Sequence, residues 1–549
     1  KMTQKDFLPY IETPKPYLEE KYMKLDYSAV KHLEIINSVE HTPSLFSVIN
    51  RTITGMGKRK LKFLLLHPLT DINQIKQRQE AVEELTLNHS LREKIRKRLE
   101  NIYDIERLIS KISSNTLTPK DMIALRESLK EVEKLKQVLK EVRSQYLKDL
   151  FTKLPNNTQI IDLMEKYLED NPPIHLKEGG LIKRGINKAL DELKDVKENG
   201  EKWILDYQEK ERLRTNIPSL KIGFNKVMGY YIEITKPNLK LVPTDYKRKQ
   251  TLSNAERFTT DYLQQLEDKI LSADEKIKNL EYEIFSWVRE KVVEESKHIE
   301  ETGRIIGMID ALQSLSQIAV EKSWIKPQIT QDYSLSIEEG LHPTISNFIK
   351  DFVPNSVYFD ENNFFHLITG PNMAGKSTYI RQTALLTILA QTGSFIPAKS
   401  AKIGIVDAIY TRIGSGDNLS KGLSTFMVEM LEVANILNNA TNKSLIILDE
   451  VGRGTSTYDG IAIAWATSEY IVKNIKAKTM FSTHYHELTK LDLKGIKNFY
   501  LAIKETQNGD IRFLYKVMEG FIDKSYGIHV AKLAGIKEEI INRANEILK

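Results

Sequence analysis

Phe364-Phe365-His366-Leu367-Ile368-Thr369 runs directly into Gly370-Pro371-Asn372-Met373-Ala374-Gly375-Lys376-Ser377, and a helix-like segment follows from Thr378 to about residue 391. A short β-prone run, a loop matching G-x-x-x-x-G-K-[ST] in full and a following helix together make a phosphate-binding loop. Its backbone N–H groups and the positive helix end cradle phosphates. Lys376 reaches the β- and γ-phosphates, and the Ser377 hydroxyl completes a Mg²⁺ site. This stretch predicts an α/β P-loop domain that binds ATP or ADP in the last third of the chain, after Pro327.

A second element fits the first. Residues 444–448 read as a buried strand ending in Asp449-Glu450. An aspartate at such a strand end holds Mg²⁺ through water, and a carboxylate beside it can act as general base on attacking water. Asp449 and Glu450 are the candidates for those two roles. Another strand-like run, 479–482, leads to His484, placed to sense or orient a γ-phosphate. His484, His486 and Glu487 do not follow H-E-x-x-H spacing, so zinc is not expected there. Residues 417–425 offer hydroxyls and glycine ahead of a helix expected over 426–438, which makes a second anion site. Two anion sites for one γ-phosphate are redundant within one subunit. If the second instead faces a partner's nucleotide, ATP joins two copies.

The remaining length narrows the classes. The 549 residues suggest about three to five domains. Hydrophobic residues make up 41% and charged residues 28%, enough apolar material for several cores and too little, in any one run, for a membrane span. With no cysteine, disulfides, thiolate zinc sites and cysteine nucleophiles are excluded. The net charge is only +6.

Residues 17–326 read as mostly helix. Leu125, Leu129, Val132, Leu135, Leu139, Val142 and Tyr146 form one apolar stripe. Ile186, Leu190, Leu193, Val196, Gly200, Trp203 and Tyr207 form a second; Leu263, Leu266, Ile270, Ala273, Ile277, Leu280, Ile284 and Val288 form a third. The last two stripes predict an outgoing helix over 183–212, about 45 Å long, and a returning helix over 256–300. Between them the period drops to two at Leu220, Ile222 and Phe224 and again at Tyr230, Ile232 and Ile234, with turn residues at 225–229. This predicts a β hairpin or small sheet at the tip of two helical arms. Residues 212–257 hold ten basic against three acidic residues, a local excess larger than that of the whole chain. That cluster is either a solvated surface or a phosphate-backbone contact surface for nucleic acid. Lys221, Lys226, Lys236, Lys240, Lys247, Arg248 and Lys249 are its candidates. Nothing there suggests base reading.

The stretches GPNMAGKSTYIRQTALL, LSTFMVEMLEVANIL, LDEVGRGTSTYDG, FSTHYHEL, RKQTLSNAERF, TGMGKRKLKFLLLHPL and KSYGIHVAKLAG resemble the MutS family of DNA mismatch repair ATPases, over nearly the whole chain. The resemblance implies a helical lever (core) domain at 17–209 and 259–326, with a β-rich DNA clamp at its tips over 210–258. An ABC-type ATPase follows at 327–530, and a C-terminal helical dimerisation region starts at 531–549. Residues 1–16 resemble the end of a connector. Lys1-Met2 is not a translation start and no Phe-x-Glu motif precedes the lever, so the mismatch reader is expected to lie outside this chain.

The resemblance also implies roles for single residues. Lys376, Ser377, Asp449, Glu450 and His484 keep the roles given above, and Asn372 approaches the γ-phosphate. Phe352 stacks on adenine or is a core phenylalanine. Ser424 contacts ATP in the opposite subunit, and Thr455 and Ser456 belong to a loop crossing the dimer interface. Leu419-Ser420-x-Gly422 loosely resembles the ABC signature. Ala374 stands where glycine is usual, which is tolerable if its φ is negative, and Leu423 where a basic residue is common. The implied partners are duplex DNA, a second copy of the chain and a MutL-type repair protein, in the bacterial cytoplasm at the nucleoid, without a membrane. Rival readings are a transporter ATPase subunit, the nuclease-bearing MutS paralogue and a non-catalytic junction-binding relative. The long arms, the tip segment and intact Lys376, Asp449 and Glu450 argue against each in turn.

Overall fold

A computed structural model of the chain describes residues 21–38, 43–225, 227–414, 424–505, 511–521 and 527–548. The expected connector end at 1–16, Lys226 and residues 417–423 lie outside the described residues.

Apolar β-prone runs bounded by glycine and polar turns become the central sheet. Its seven strands lie in the order Lys24–Leu25, Ala408–Arg412, Leu445–Asp449, Lys478–Ser482, Asn363–Thr369, Gly495–Glu505 and Ile511–Glu519. All neighbours are parallel except the last pair. Burial on both faces explains why Asn363–Thr369, Leu445–Asp449 and Lys478–Ser482 are buried along their whole length. Phe365, Leu367, Tyr410, Ile446, Leu448, Ala464, Phe481 and Leu488 form much of one core face. A second, four-stranded sheet comprises Gln328–Thr330, Ser400–Gly404, Leu335–Gly340 and Asn355–Phe359.

These sheets belong to the first of two units, made of the described parts of Lys1–Glu100, Lys134–Leu154 and Gly303–Lys549. Lys24–Leu25, which the sequence reading placed in the lever, is thus an edge strand of the central sheet. The helix Lys376–Thr392 is anchored to the same N-terminal segment. Gln391 donates from Nε2 to the carbonyls of Leu69 (2.7 Å) and Val406 (3.0 Å), and its Oε1 accepts from Val406 N–H. The first predicted stripe is not one helix. The helix Pro119–Leu139 stops, and a new one, Gln145–Lys153, carries Tyr146. The Glu84 carboxylate accepts the N–H groups of Arg143 and Ser144 at this break, giving those donors a partner outside any helix.

The second unit comprises Asn101–Glu133 and Pro155–Thr302. Its outgoing helix is Lys188–Thr215, capped by the Asn187 side chain and closed by Asn216 at φ +54°. The return helix is Asp261–Glu294, capped by Thr260. Both starts fall about five residues after the predicted ones. Residues 256–259, expected to be helical, belong to a strand, and beyond Glu294 a separate helix, Ser296–Lys322, begins. Contacts along the two arms run in opposite directions. Tyr207 bonds Thr260 (2.7 Å), a Cβ on Gly200 would lie 2.6 Å from Ile270, Lys197 pairs with Asp274 (2.5 Å) and Lys194 with Glu281 (2.8 Å). Gly200 is therefore a close-approach residue of an antiparallel helix pair.

The tip between the arms is a four-stranded antiparallel sheet, ordered Lys221–Asn225, Gly229–Thr235, Ala255–Thr259 and Lys247–Thr251. Of the expected hairpin or small sheet, the small sheet forms, with the hairpin as its first half. Ile217, Leu220, Ile232, Ile234, Tyr246 and Phe258 pack on Ile204, Tyr207, Leu263, Leu266 and Ile270 of the arms.

Candidate active site

Three strands deliver the predicted chemistry to one sheet edge. Asp449 is in register with Ser482, and Ser482 with Ile368. The loop after Thr369, the carboxylates at 449–450 and His484 therefore all leave from the same carboxyl ends, where α/β sheets bind ligands. Two hydrogen bonds stitch these ends: Glu450 N–H to the Ser482 carbonyl (2.8 Å) and Thr483 N–H to the Ile368 carbonyl (3.0 Å).

The loop turns at Gly370 (φ +133°), passes through a 3₁₀ turn at Asn372–Ala374 and enters the helix Lys376–Thr392 from Gly375 (φ +96°). Gly375 needs the conformational freedom of glycine at that angle. Ala374 is buried and is not among the residues with positive φ, so its methyl group fits where glycine is usual. Lys376 is only 2% exposed, and its Nζ donates to the Gly370 carbonyl. Burial pushes its ammonium below the ordinary lysine value, against the pull of Glu450 and Asp449.

Asp449 is buried, and its Oδ1 has no partner among the described residues. A buried carboxylate oxygen left without a donor fits a hydrated Mg²⁺ shared with Ser377, which opens the first turn of the neighbouring helix. Glu450 sits at φ +51°, unusual for a side chain with a Cβ, and pairs with Arg453 (2.5 Å). His484 is held below the ordinary histidine value by burial, while Glu450 favours its charged form. It therefore stays neutral near pH 7.

A cavity of about 420 Å³ adjoins the loop, lined among others by Phe352, Met373, Ala374, Gly375, Thr378 and Tyr515. Phe352 is half-buried and lines this space. Tyr515, outside every motif named above, lines the same cavity. It stands at φ +52° in the strand Ile511–Glu519, and Asn355 holds the backbone around it through the Tyr515 carbonyl and Val517 N–H (both 2.9 Å). No local motif signals it.

Ser424 caps the helix Thr425–Asn439 by accepting Met427 N–H (3.2 Å). Among the described residues its hydroxyl proton has no acceptor. Ser456 caps the helix Thr457–Tyr470 and donates to Asp459 (2.7 Å). At the tip, the arms supply acids that the linear count left out. Arg212 pairs with Glu209, Arg214 with Glu211 and Asp245, and Lys247 with Asp261. Lys249 turns inward to the Met228 carbonyl (2.8 Å) and Glu267 (3.8 Å), and Arg248 faces Glu256 (3.3 Å). Lys221, Lys236 and Lys240 are exposed and have no ion pair among the described residues.

A mostly parallel sheet that brings a glycine loop, an acidic strand end and a histidine to one edge defines a P-loop α/β protein. Its residues 366–549 match the family model described as MutS domain V, and residues 28–316 the model described as MutS domain III. The chain belongs to the MutS family. It is 64% identical, over its whole length, to the DNA mismatch repair protein MutS of Persephonella marina, 54% to that of Aquifex pyrophilus and 50% to that of Clostridium kluyveri. All of the chain is covered in each case, against 63%, 65% and 64% of the respective relatives, so it spans just under two thirds of their length. Among the described residues no helix is long and apolar enough to cross a membrane.

Proposed function

We propose that this chain is the ATP-driven DNA-clamping machinery of a bacterial mismatch repair protein, acting in the cytoplasm. The observation that carries this reading is the convergence of Lys376, Asp449, Glu450 and His484 at one sheet edge beside an aromatic-lined cavity. Adenine occupies that cavity against Phe352 and Tyr515. The loop amides and Lys376 hold the phosphates, with Asn372 near the γ-phosphate. Ser377 and Asp449 would hold Mg²⁺, which when bound would neutralise charge on the phosphates. Glu450, freed from Arg453, takes a proton from water as its oxygen attacks the γ-phosphorus and ADP departs. Neutral His484 orients the reacting group.

Ser424 of one copy and the nucleotide of another close a homodimer of ABC type. The arms carry that closure to the tips, whose exposed lysines contact duplex phosphates; a MutL-type protein reads the closed state. Such a device is a bistable element biased by γ-phosphate contacts.

Steady-state ATP hydrolysis and salt-dependent duplex binding test this reading. Wild-type chain is expected to hydrolyse ATP with Mg²⁺, and Lys376→Met to abolish it. Normal hydrolysis by Lys376→Met, or DNA binding indifferent to salt, would overturn it.

A further inference from the structure

We infer that Glu429 is a positioning residue that ties Ser424, the contact to a second copy's nucleotide, to the general base Glu450 of its own subunit. The inference rests on the ATPase reading above and adds a regulator of that site. Glu429 lies on the helix that Ser424 opens, on the buried face shared with Val433 and Ile436, and is 3% exposed. A carboxylate there is unfavourable unless it is paired and hydrogen-bonded. It is both. Oε1 accepts Gly452 N–H (2.5 Å), and Oε2 accepts from Arg412 Nη2 (3.1 Å) at the end of the strand Ala408–Arg412.

Gly452 lies two residues beyond Glu450, and it is gripped on both faces. Its carbonyl accepts the Tyr485 hydroxyl (2.9 Å), one residue after His484. Its φ is +92°, and a Cβ there would lie 2.6 Å from the Gly460 carbonyl. Glu450 itself, at φ +51°, is fastened through its N–H to Ser482. A backbone in such a sparsely populated conformation persists only where its surroundings hold it. Here the holders are Glu429 and the strand end carrying His484. Moving the helix behind Ser424 therefore moves an acceptor bonded to the turn that aims Glu450. Engagement of Ser424 by the second copy's ATP sets the base in the chain's own site, so hydrolysis in one subunit depends on nucleotide in the other.

The test is a double-mutant cycle on the full chain with chemical-quench ATP hydrolysis and fluorescent-nucleotide binding. Glu429→Ala is expected to slow the hydrolytic step at least about tenfold while changing nucleotide affinity less than about threefold. Ser424→Ala slows wild-type hydrolysis, and adding it to Glu429→Ala costs clearly less than it does in the wild-type background, because the part of its effect carried through Glu429 is already lost. Glu429→Gln and Tyr485→Phe, which remove a charge or a single hydroxyl, are expected to reproduce the slowing and the non-additivity in milder form and serve if Glu429→Ala does not fold. Wild-type rates in these variants, or independent and additive losses with Ser424→Ala, would overturn the coupling. A wild-type chain that hydrolyses no ATP would sink the ATPase reading instead.

Discussion

Gly57 rests directly on the carboxylate of Asp310: a Cβ on Gly57 would stand 2.0 Å from Asp310 Oδ2. Asp310 is fully buried and accepts the N–H groups of Ile53 and Thr54, the Thr54 hydroxyl (2.6 Å) and the Gln313 amide (2.6 Å). It therefore neutralises the orphan donors ahead of the helix Gly55–Leu66. Gly57→Ala forces this network apart. It is expected to destabilise the chain by about 1–3 kcal/mol, read as a lower urea midpoint in the transition that includes this segment.

Three histidines of the first unit link its stability to pH. Burial lowers His32 to about 4, and His342 and His366 to about 3. His366 stacks on Phe359 with centroids 4.0 Å apart. The unfolded chain takes up these protons near pH 6.5, whereas the folded chain does so only near 3–4. Stability is therefore full above about pH 6.5 and falls as pH drops below it, by up to about 1.4 kcal/mol per pH unit and group. Urea midpoints across pH 5–7.5 are expected to show this slope. His366→Leu should reduce it by about one proton while changing stability at pH 7.5 by less than about 1.5 kcal/mol. An unchanged slope would contradict the assignment.

Lysines at the tip divide by environment. Lys236→Ala with Lys240→Ala is expected to weaken duplex binding uniformly across sequences and to reduce the salt slope by up to about 0.9 per lost phosphate contact. Lys249→Ala, which strips the Met228 and Tyr230 carbonyls of a donor, is expected to lower the stability of the tip sheet first, seen by hydrogen exchange.

Phe352→Ala and Tyr515→Ala each remove an aromatic wall of the cavity. Each is expected to raise the dissociation constant for ATP by about two- to tenfold, measured by fluorescent-nucleotide titration, with the hydrolytic step nearly unchanged. A loss confined to the hydrolytic step would place these rings elsewhere.

What the sequence made legible depended on how local its signal was. The strand at 363–369, the loop and the helix behind it are one contiguous motif, and Asp449, Glu450 and His484 each end an apolar run, so their common edge could be anticipated. The strands Lys247–Thr251 and Ala255–Thr259 escaped notice because the first, Lys-Arg-Lys-Gln-Thr, has no apolar face of its own and is stabilised by pairing with its neighbour. Lys24–Leu25 is too short to carry a period. Tyr515 reaches the cavity only through tertiary placement. Glu429 did leave a trace: it occupies a position four and seven residues before Val433 and Ile436, where an apolar side chain would be expected.

The segmented build of the first unit constrains how the chain is born. As synthesis proceeds, the tip and its arms can close once residues up to about 302 have emerged, since the unit they belong to ends at Thr302. Lys24–Leu25 must instead wait for Ala408–Arg412 to appear. During that interval the early segment has its strand edge unpaired, the state in which an edge is open to pairing with another chain.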